Sequence, residues 1–255
     1  ATVALWEILQ LNWCPGGVKN NLPRLLLTLL FQVFISTEEM SEEVETFWGR
    51  CREQRSLPPN PNRFAVQTVK ALLRRLLDED VLMVIHRKCG WDMLLKADTH
   101  HYAVGLLARE LCHVSRSFCR SIAISLLPRL SREEPLWELP ALAFLVEVLH
   151  CLNPRQCGLS VLQIISRRLR RECPERRHLA LRGLVVISKA PALAKSIWSL
   201  NESLLELLQD ADRDVVQMTL SAFINVLHLK TIQISSPTAL KLLEALRLCV
   251  PHRGH

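Results

Sequence analysis

The chain has 255 residues, a formal net charge of +7 and a pI of about 9.1, and 49% of its residues are hydrophobic. This composition supplies ample material for a core. With only 8 Gly and 1 Tyr, it argues against a sheet-rich fold with many tight turns. The mild basic excess is compatible with an acidic partner.

The cysteines and the apolar stretches indicate the compartment. Nine Cys are spread from Cys14 to Cys249 without a CxxC pair, whereas a disulfide framework would be denser and more regular. We therefore predict buried free thiols in a reducing compartment. No signal peptide is visible, and the most apolar stretch, Leu25 to Ile35, is too short to cross a bilayer. We expect an intracellular protein, cytoplasmic or alternatively nuclear. Because the chain opens at Ala1 in a helical pattern, we also expect a piece of a longer protein.

Apolar residues recur along the chain at the spacing of amphipathic helices. Val104, Leu107, Leu111 and Val114 follow one another at steps of three, four and three residues, and the segment Val216–Leu227 has the same kind of pattern. Each set places one apolar stripe along a helix. No alternation typical of strands extends beyond a few residues, so the pattern predicts an all-α fold.

The predicted helix starts form two interleaved series, each with a step of about 36 to 43 residues. The first series begins near Leu22, Asn62, Asp98, Leu136, Pro174 and Asp212, and the second begins near Glu42, Asp80, Phe118, Leu159, Glu202 and Thr238. This period is that of two-helix HEAT or armadillo units. We therefore predict a right-handed α-solenoid of about six helical hairpins, in which neighbours cover each other's apolar faces. The prediction treats residues 1–255 as a single repeat domain.

The clearest repeat unit is Asn201–Leu227, in which a helix, a short acidic turn and a second helix follow one another. In HEAT repeats a turn carboxylate can bond backbone amides and tie neighbouring turns together, and Asp210, Asp212 and Asp214 are the candidates here. The alternative interpretation is three solvated turn acids. Side-chain oxygens that accept first-turn N–H groups make good helix N-caps, and three residues are predicted in this role: Asp98, Asn201 and Asp212.

Several segments resemble the maestro heat-like repeat family, in the same order along most of the chain. They are LPRLLLTLLFQVFIST (Leu22–Thr37), WDMLLKADTHHYAVGLLARE (Trp91–Glu110), PALAFLVEVLHCL (Pro140–Leu152), HLALRGLVVISKAP (His178–Pro191), LLQDADRDVVQMTLSAFINVL (Leu207–Leu227) and ISSPTALKLLEAL (Ile234–Leu246). The resemblance implies an intracellular helical-repeat protein. It carries over no functional residue, because the family offers no defined site to transfer.

Chemistry-bearing motifs are scarce. The doublets His100-His101, Cys112-His113 and His150-Cys151 gather soft ligands, but adjacent helical residues point about 100° apart, so a doublet is not expected to converge on one ion. A zinc site would need ligands from different helices, for which His101 with Cys112 and Cys119 is the conceivable grouping. We predict no metal and no cofactor.

Catalytic and phosphate-binding signatures are also lacking. No nucleophile turn or family-specific cysteine signature occurs. Gly16-Gly17-Val18-Lys19 lacks the spacing of a phosphate-binding loop. We therefore predict no enzymatic activity, with an unrecognised enzyme kept as an alternative.

A basic cluster flanks the Cys173-Pro174 turn, where one predicted helix ends and the next begins. Its members are Arg167, Arg168, Arg170, Arg171, Arg176, Arg177 and Arg182, and we call this set the arginine corner. Cations at a helix C-terminus meet its negative end, which accounts for part of the run. The alternatives are an acidic protein surface, a phosphate backbone and a nuclear-import-like patch. The sequence thus predicts a scaffold or adaptor that binds proteins, with the arginine corner as a candidate contact surface. The alternative is a nucleic-acid-associated repeat protein that uses this basic corner.

Overall fold

The computed structural model describes residues 2–11, 16–38, 42–55, 57–58, 60–75, 77–132, 137–170, 173–229, 232 and 235–249. Within these ranges every regular element is helical and no strand occurs, so the predicted all-α class is confirmed. The chain divides into two compact units, Ala1–Cys151 and Leu152–His255. Among the described residues, no helix combines the length and apolar character needed to cross a membrane. The prediction of a single repeat domain stays a prediction.

The first unit contains nine α-helices among its described residues. They are α1 (Thr2–Gln10), α2 (Gly16–Glu38), α3 (Glu42–Arg55), α4 (Pro61–Arg74), α5 (Glu79–Arg87), α6 (Gly90–Met93), α7 (His100–Val114), α8 (Arg116–Ser131) and α9 (Glu138–Val148). A short 3-10 helix, Leu149–Cys151, continues α9.

The second unit contains six α-helices in the part of it that the structure describes. They are α10 (Pro154–Leu169), α11 (Pro174–Ile187), α12 (Ala194–Trp198), α13 (Asn201–Leu207), α14 (Arg213–His228) and α15 (Ser236–Cys249). The 3-10 helix Pro191–Leu193 precedes α12.

Most predicted helix starts lie within two residues of an observed start. The predicted starts at Leu22 and Leu159 are wrong by more than a helical turn, because α2 begins at Gly16 and α10 begins at Pro154. At α10 the side chain of Asn153 accepts the backbone N–H of Arg155 at 3.0 Å, a cap that fixes the earlier start. The predicted start at Leu136 lies outside the described residues.

The N-cap predictions have mixed outcomes. Asp212 caps α14, because its side chain accepts the backbone N–H of Asp214. The other two predictions are wrong. Thr99 occupies the N-cap of α7 instead of Asp98, and Asn201 is already helical and donates its side-chain N–H to the carbonyl of Trp198 at 2.9 Å.

Helices of the first predicted series pack side by side within each unit. In the first unit α2 packs on α4 and α7 packs on α9, and in the second α11 packs on α14. The α7–α9 pair carries much of its unit's core, since Leu107, Leu111, Leu142 and Phe144 are at most 1% exposed. Gly105 of α7 lies against α9, where an added methyl group would be in ordinary contact with Ala143. In these three pairs, the helix one hairpin away covers part of the apolar stripe.

One contact departs from a strictly neighbour-to-neighbour arrangement. Helix α2 also packs against α8, and Phe31 of α2 meets Trp137 edge-on with ring centroids 5.8 Å apart. Phe34 lies next to His100 at 5.2 Å. A stack in which every hairpin touches only the next one does not predict these contacts.

Candidate functional site

The acidic turn before α14 joins two successive first-series helices. Asp210 Oδ1 accepts the backbone N–H of Asp212 at 2.9 Å, and Asp212 Oδ1 accepts that of Asp214 at 2.9 Å. The remaining oxygens reach the start of α11: Asp210 Oδ2 lies 3.0 Å from Arg177 Nη1 and Asp212 Oδ2 lies 2.8 Å from His178 Nε2. Two carboxylates thus hold their own turn and a neighbouring helix, while the exposed Asp214 supplies only a backbone donor.

This arrangement favours the charged form of Asp212. The N–H of Asp214 and the bond to His178 lower the pKa of the Asp212 carboxyl, in that order of importance. Charge-assisted bonds of this kind are stronger than neutral ones. Helices α11 and α14 are also linked away from this turn. Asn225 Nδ2 of α14 donates to Oγ of Ser188, the C-cap residue of α11, at 2.9 Å.

The arginine corner is divided by the structure into different environments. Arg168 is only 3% exposed and donates from Nη1 to the Ile164 carbonyl at 2.7 Å, so it offers no surface to a partner. Arg170 donates from Nη2 to Ser203 Oγ at 2.7 Å, and Arg177 is engaged with Asp210. These contacts give part of the basic run a structural role.

The remaining members differ in exposure. Arg167 and Arg182 are exposed, and Arg176 is half-buried. Arg171 lies outside the described residues. Arg170 is exposed as well, although its guanidinium donates to Ser203. The exposed members among the described residues are therefore Arg167, Arg170 and Arg182.

Three potential metal ligands converge in the first unit. Cys112 Sγ of α7 lies 2.9 Å from Cys151 Sγ and 3.3 Å from His150 Nε2. All three donor atoms lie within 4.8 Å of one another. The expectation that a His-Cys doublet does not converge is wrong for His150-Cys151. Adjacent side chains do leave the backbone in different directions. The imidazole of His150 is nevertheless long enough for Nε2 to reach Cys112 Sγ, which the Cys151 thiol also contacts.

The conceivable zinc grouping named from the sequence contains only part of this cluster. Among the described residues His101 is not a member and packs against Tyr102, with ring centroids 3.9 Å apart. Cys119 is fully buried and lies outside the 4.8 Å group. One feature of the sequence indicates this cluster. His150 and Cys151 follow Cys112 by 38 and 39 residues, which equals the predicted repeat period and would place them at equivalent positions in neighbouring hairpins.

Two thiols in this region, Cys151 and Cys119, have raised pKa values. Burial is the largest cause that raises the pKa of Cys151, to about 12, and the hydrogen bond and charge of Cys112 add to it, while Arg116 and Arg120 oppose it. Burial and the Cys112 and Cys151 thiols raise the pKa of Cys119 as well. Buried protonated thiols are weak nucleophiles, so the raised pKa values of Cys119 and Cys151 disfavour covalent catalysis by these two residues.

The other cysteines carry no comparable cluster among the described side chains. All seven cysteines with described side chains are free thiols, as predicted, but only Cys112, Cys119 and Cys151 are buried. The prediction of burial is wrong for the other four, since Cys89 is exposed and Cys51, Cys157 and Cys173 are half-buried. Cys14 and the side chain of Cys249 lie outside the described residues.

No protein-family model matches the chain, and no solved structure matches it significantly.

Proposed function

We propose that the chain is a non-catalytic helical-repeat scaffold of the HEAT type, a right-handed α-solenoid that binds protein partners. The observation that carries this proposal is a recurring distance in sequence between side chains that join different helices. Arg109 and Glu147 are 38 residues apart, His178 and Asp212 are 34, and Asn225 and Ser188 are 37. Ties at nearly one repeat period support hairpins stacked in register, each contacting its successor.

The resemblance to the maestro heat-like repeat family supports the same architecture. It rests on the ordered segments of the sequence and adds an intracellular setting, cytoplasmic or nuclear, that agrees with the absence of a regular cysteine framework. Stacked helical hairpins present long continuous surfaces that suit macromolecular partners. The step from this architecture to binding is an argument by analogy with other repeat proteins.

The partner we propose is a protein with an acidic surface. Arg167 and Arg182 are exposed near the Cys173-Pro174 turn, and complementary charge steers association and selects partners. The proposed contact therefore uses these two arginines, while Arg168, Arg170 and Arg177 make contacts within their own unit.

Affinity capture of the full chain from cells tests this function. We expect a protein to be recovered in stoichiometric amounts at low salt, and to be lost with R167E/R182E. The matched control is R52E/R63E, which makes the same charge change at two exposed arginines of the first unit and should retain the partner. Circular dichroism of both variants checks that the helices persist.

Two results would contradict the proposal. Recovery of no stoichiometric protein from gentle extracts would oppose the scaffold function. Recovery of nucleic acid, released by nuclease and weakening steeply with salt as phosphate contacts do, would replace the acidic protein with a phosphate backbone.

A further inference from the structure

The Cys112, His150 and Cys151 donors form a group that the scaffold function leaves unexplained. Cys112 lies near the end of α7, and the other two lie in the 3-10 turn that follows α9. Their donor atoms belong to three side chains within 4.8 Å. Two thiols and an imidazole are the ligand types that proteins use for zinc.

We propose that Cys112, His150 and Cys151 bind a zinc ion, with the neighbouring Cys119 thiol as the fourth ligand. This Cys₃His set would make a closed, structural site that joins α7, α8 and the end of α9. Its role would be to fix the packing of these three segments.

The distances require only a small opening of the group. Tetrahedral zinc places two sulfur ligands about 3.8 Å apart and a sulfur and a nitrogen about 3.6 Å apart, given zinc–sulfur bonds of about 2.3 Å. The Cys112 and Cys151 sulfurs are 2.9 Å apart, and Cys112 Sγ is 3.3 Å from His150 Nε2. For these two pairs of atoms, sulfur movements of less than about an ångström are sufficient. Cys119 has the longer path, since it lies outside the 4.8 Å group.

The surroundings suit a thiolate-rich ion. Cys112, Cys119 and Cys151 are 7% exposed or less, which shields the metal–sulfur bonds from water. His150 is exposed, so an ion has a path to the donors. The positive charges of Arg116 and Arg120 act on Cys151 and would balance the net negative charge of one zinc ion with three thiolates. Zinc must displace the thiol protons, so binding should strengthen with rising pH.

A disulfide is the competing use of the two close sulfurs. Cys112 and Cys151 would form it by losing two protons and two electrons to an oxidant such as a glutathione disulfide, and the sulfurs would have to close to about 2.05 Å. That bond gives His150 and Cys119 no role. A metal ion uses all four side chains, which is why the geometry favours zinc.

Zinc titration of the reduced, metal-free full chain tests the proposal, with a chromophoric chelator as competitor. We expect one zinc ion per chain, bound with a Kd below about a micromolar. H150A should weaken binding by at least about 10- to 100-fold, the loss that follows even from removing a ligand's supporting partner. Because His150 is exposed, this substitution spares the core and keeps the test valid if C112S, C119S or C151S fails to fold.

Matched controls separate ligation from general effects. H113A removes an exposed imidazole next to Cys112 on the same helix, and C89S removes an exposed thiol of the same unit. Both should bind zinc as the unaltered chain does. Cobalt substitution should give the visible absorption of a tetrahedral thiolate site.

Three outcomes would overturn the assignment. Equal zinc affinity in H150A and the unaltered chain would remove His150 from the site. Equal affinity in a folded C119S variant would refute the closed four-ligand set. A Cys112–Cys151 disulfide that forms in air despite one equivalent of zinc, seen by mass spectrometry, would assign the pair to thiol oxidation instead.

Discussion

Alanine substitutions at two helical glycines should change stability in opposite directions. A methyl group at Gly105 of α7 would stand 3.8 Å from the Ala143 carbonyl oxygen and 3.9 Å from the Ala143 Cβ, which is ordinary van der Waals contact. Ala is favoured over Gly inside a helix by about 0.8–1.0 kcal/mol. We therefore expect G105A to stabilise the first unit by about 1 kcal/mol.

The same substitution at Gly158 of α10 meets a filled space. Its methyl group would stand 2.7 and 2.8 Å from the two Cδ atoms of Leu193 and 3.1 Å from Cγ. Leu193 is only 2% exposed, so its side chain has little room to move away. Overpacking costs about 1–3 kcal/mol, which exceeds the helix-propensity gain of about 1 kcal/mol. We expect G158A to destabilise the second unit by about 1 kcal/mol.

Urea unfolding followed by circular dichroism, with hydrogen exchange of α7 and α10 to assign the transition to a unit, measures both effects. For slopes of about 1–3 kcal/mol/M, each variant should shift its midpoint by roughly 0.3–1 M. In a Leu193→Ala background, G158A should become neutral or stabilising, because the colliding atoms are gone. If the midpoints of G105A and G158A shifted in the same direction, the contacts of Gly105 with Ala143 and of Gly158 with Leu193 would be refuted.

Three further predictions concern polar groups. Asp212 has a lowered pKa in the folded chain. Its contribution to folding stability is therefore present above its ordinary pKa of 3.8 and is lost as the pH falls through the folded value. Melting curves recorded between about pH 5 and pH 2 should show this loss in the unaltered chain and not in D212N. Burial lowers the pKa of His100 to about 4, so folding stability should decline from pH 6.5 towards pH 4 by up to about 1.4 kcal/mol per pH unit. H100N, whose amide can still donate to the Leu94 carbonyl as His100 Nδ1 does at 2.8 Å, should flatten that slope, and an unchanged slope would contradict the assignment. The bidentate Arg109–Glu147 pair, at 2.9 and 3.1 Å, should give a coupling of about 0.5–1 kcal/mol in a double-mutant cycle, because Arg109 is half exposed; zero coupling would show that it does not tie α7 to α9.

Local chemistry explains why many helix boundaries were predictable. Asp212 caps α14 with its own side chain, and Pro174 occupies a position in the first turn of α11, where its missing N–H costs nothing. Both signals act over a few residues and do not depend on the rest of the fold. Asn201 shows the limit, because its side chain found a different partner in the carbonyl of Trp198 and did not cap.

The functional candidates depended more heavily on the tertiary structure. The arginine corner is one continuous run in the sequence, but a helix turns about 100° per residue, so Arg168 enters the core while Arg167 remains exposed. No local pattern gives the phase of that rotation relative to a neighbour. The packing of the next helix decides which side chain is covered.

By itself, the sequence determined an all-helical chain and most of its helix starts, because apolar periodicity and capping are properties of short segments. Only the tertiary structure decided that Cys112 meets His150 and Cys151, and that α2 reaches across to α8. Those contacts depend on which helix faces pack together, and that choice is set by side-chain fit between segments far apart in the chain.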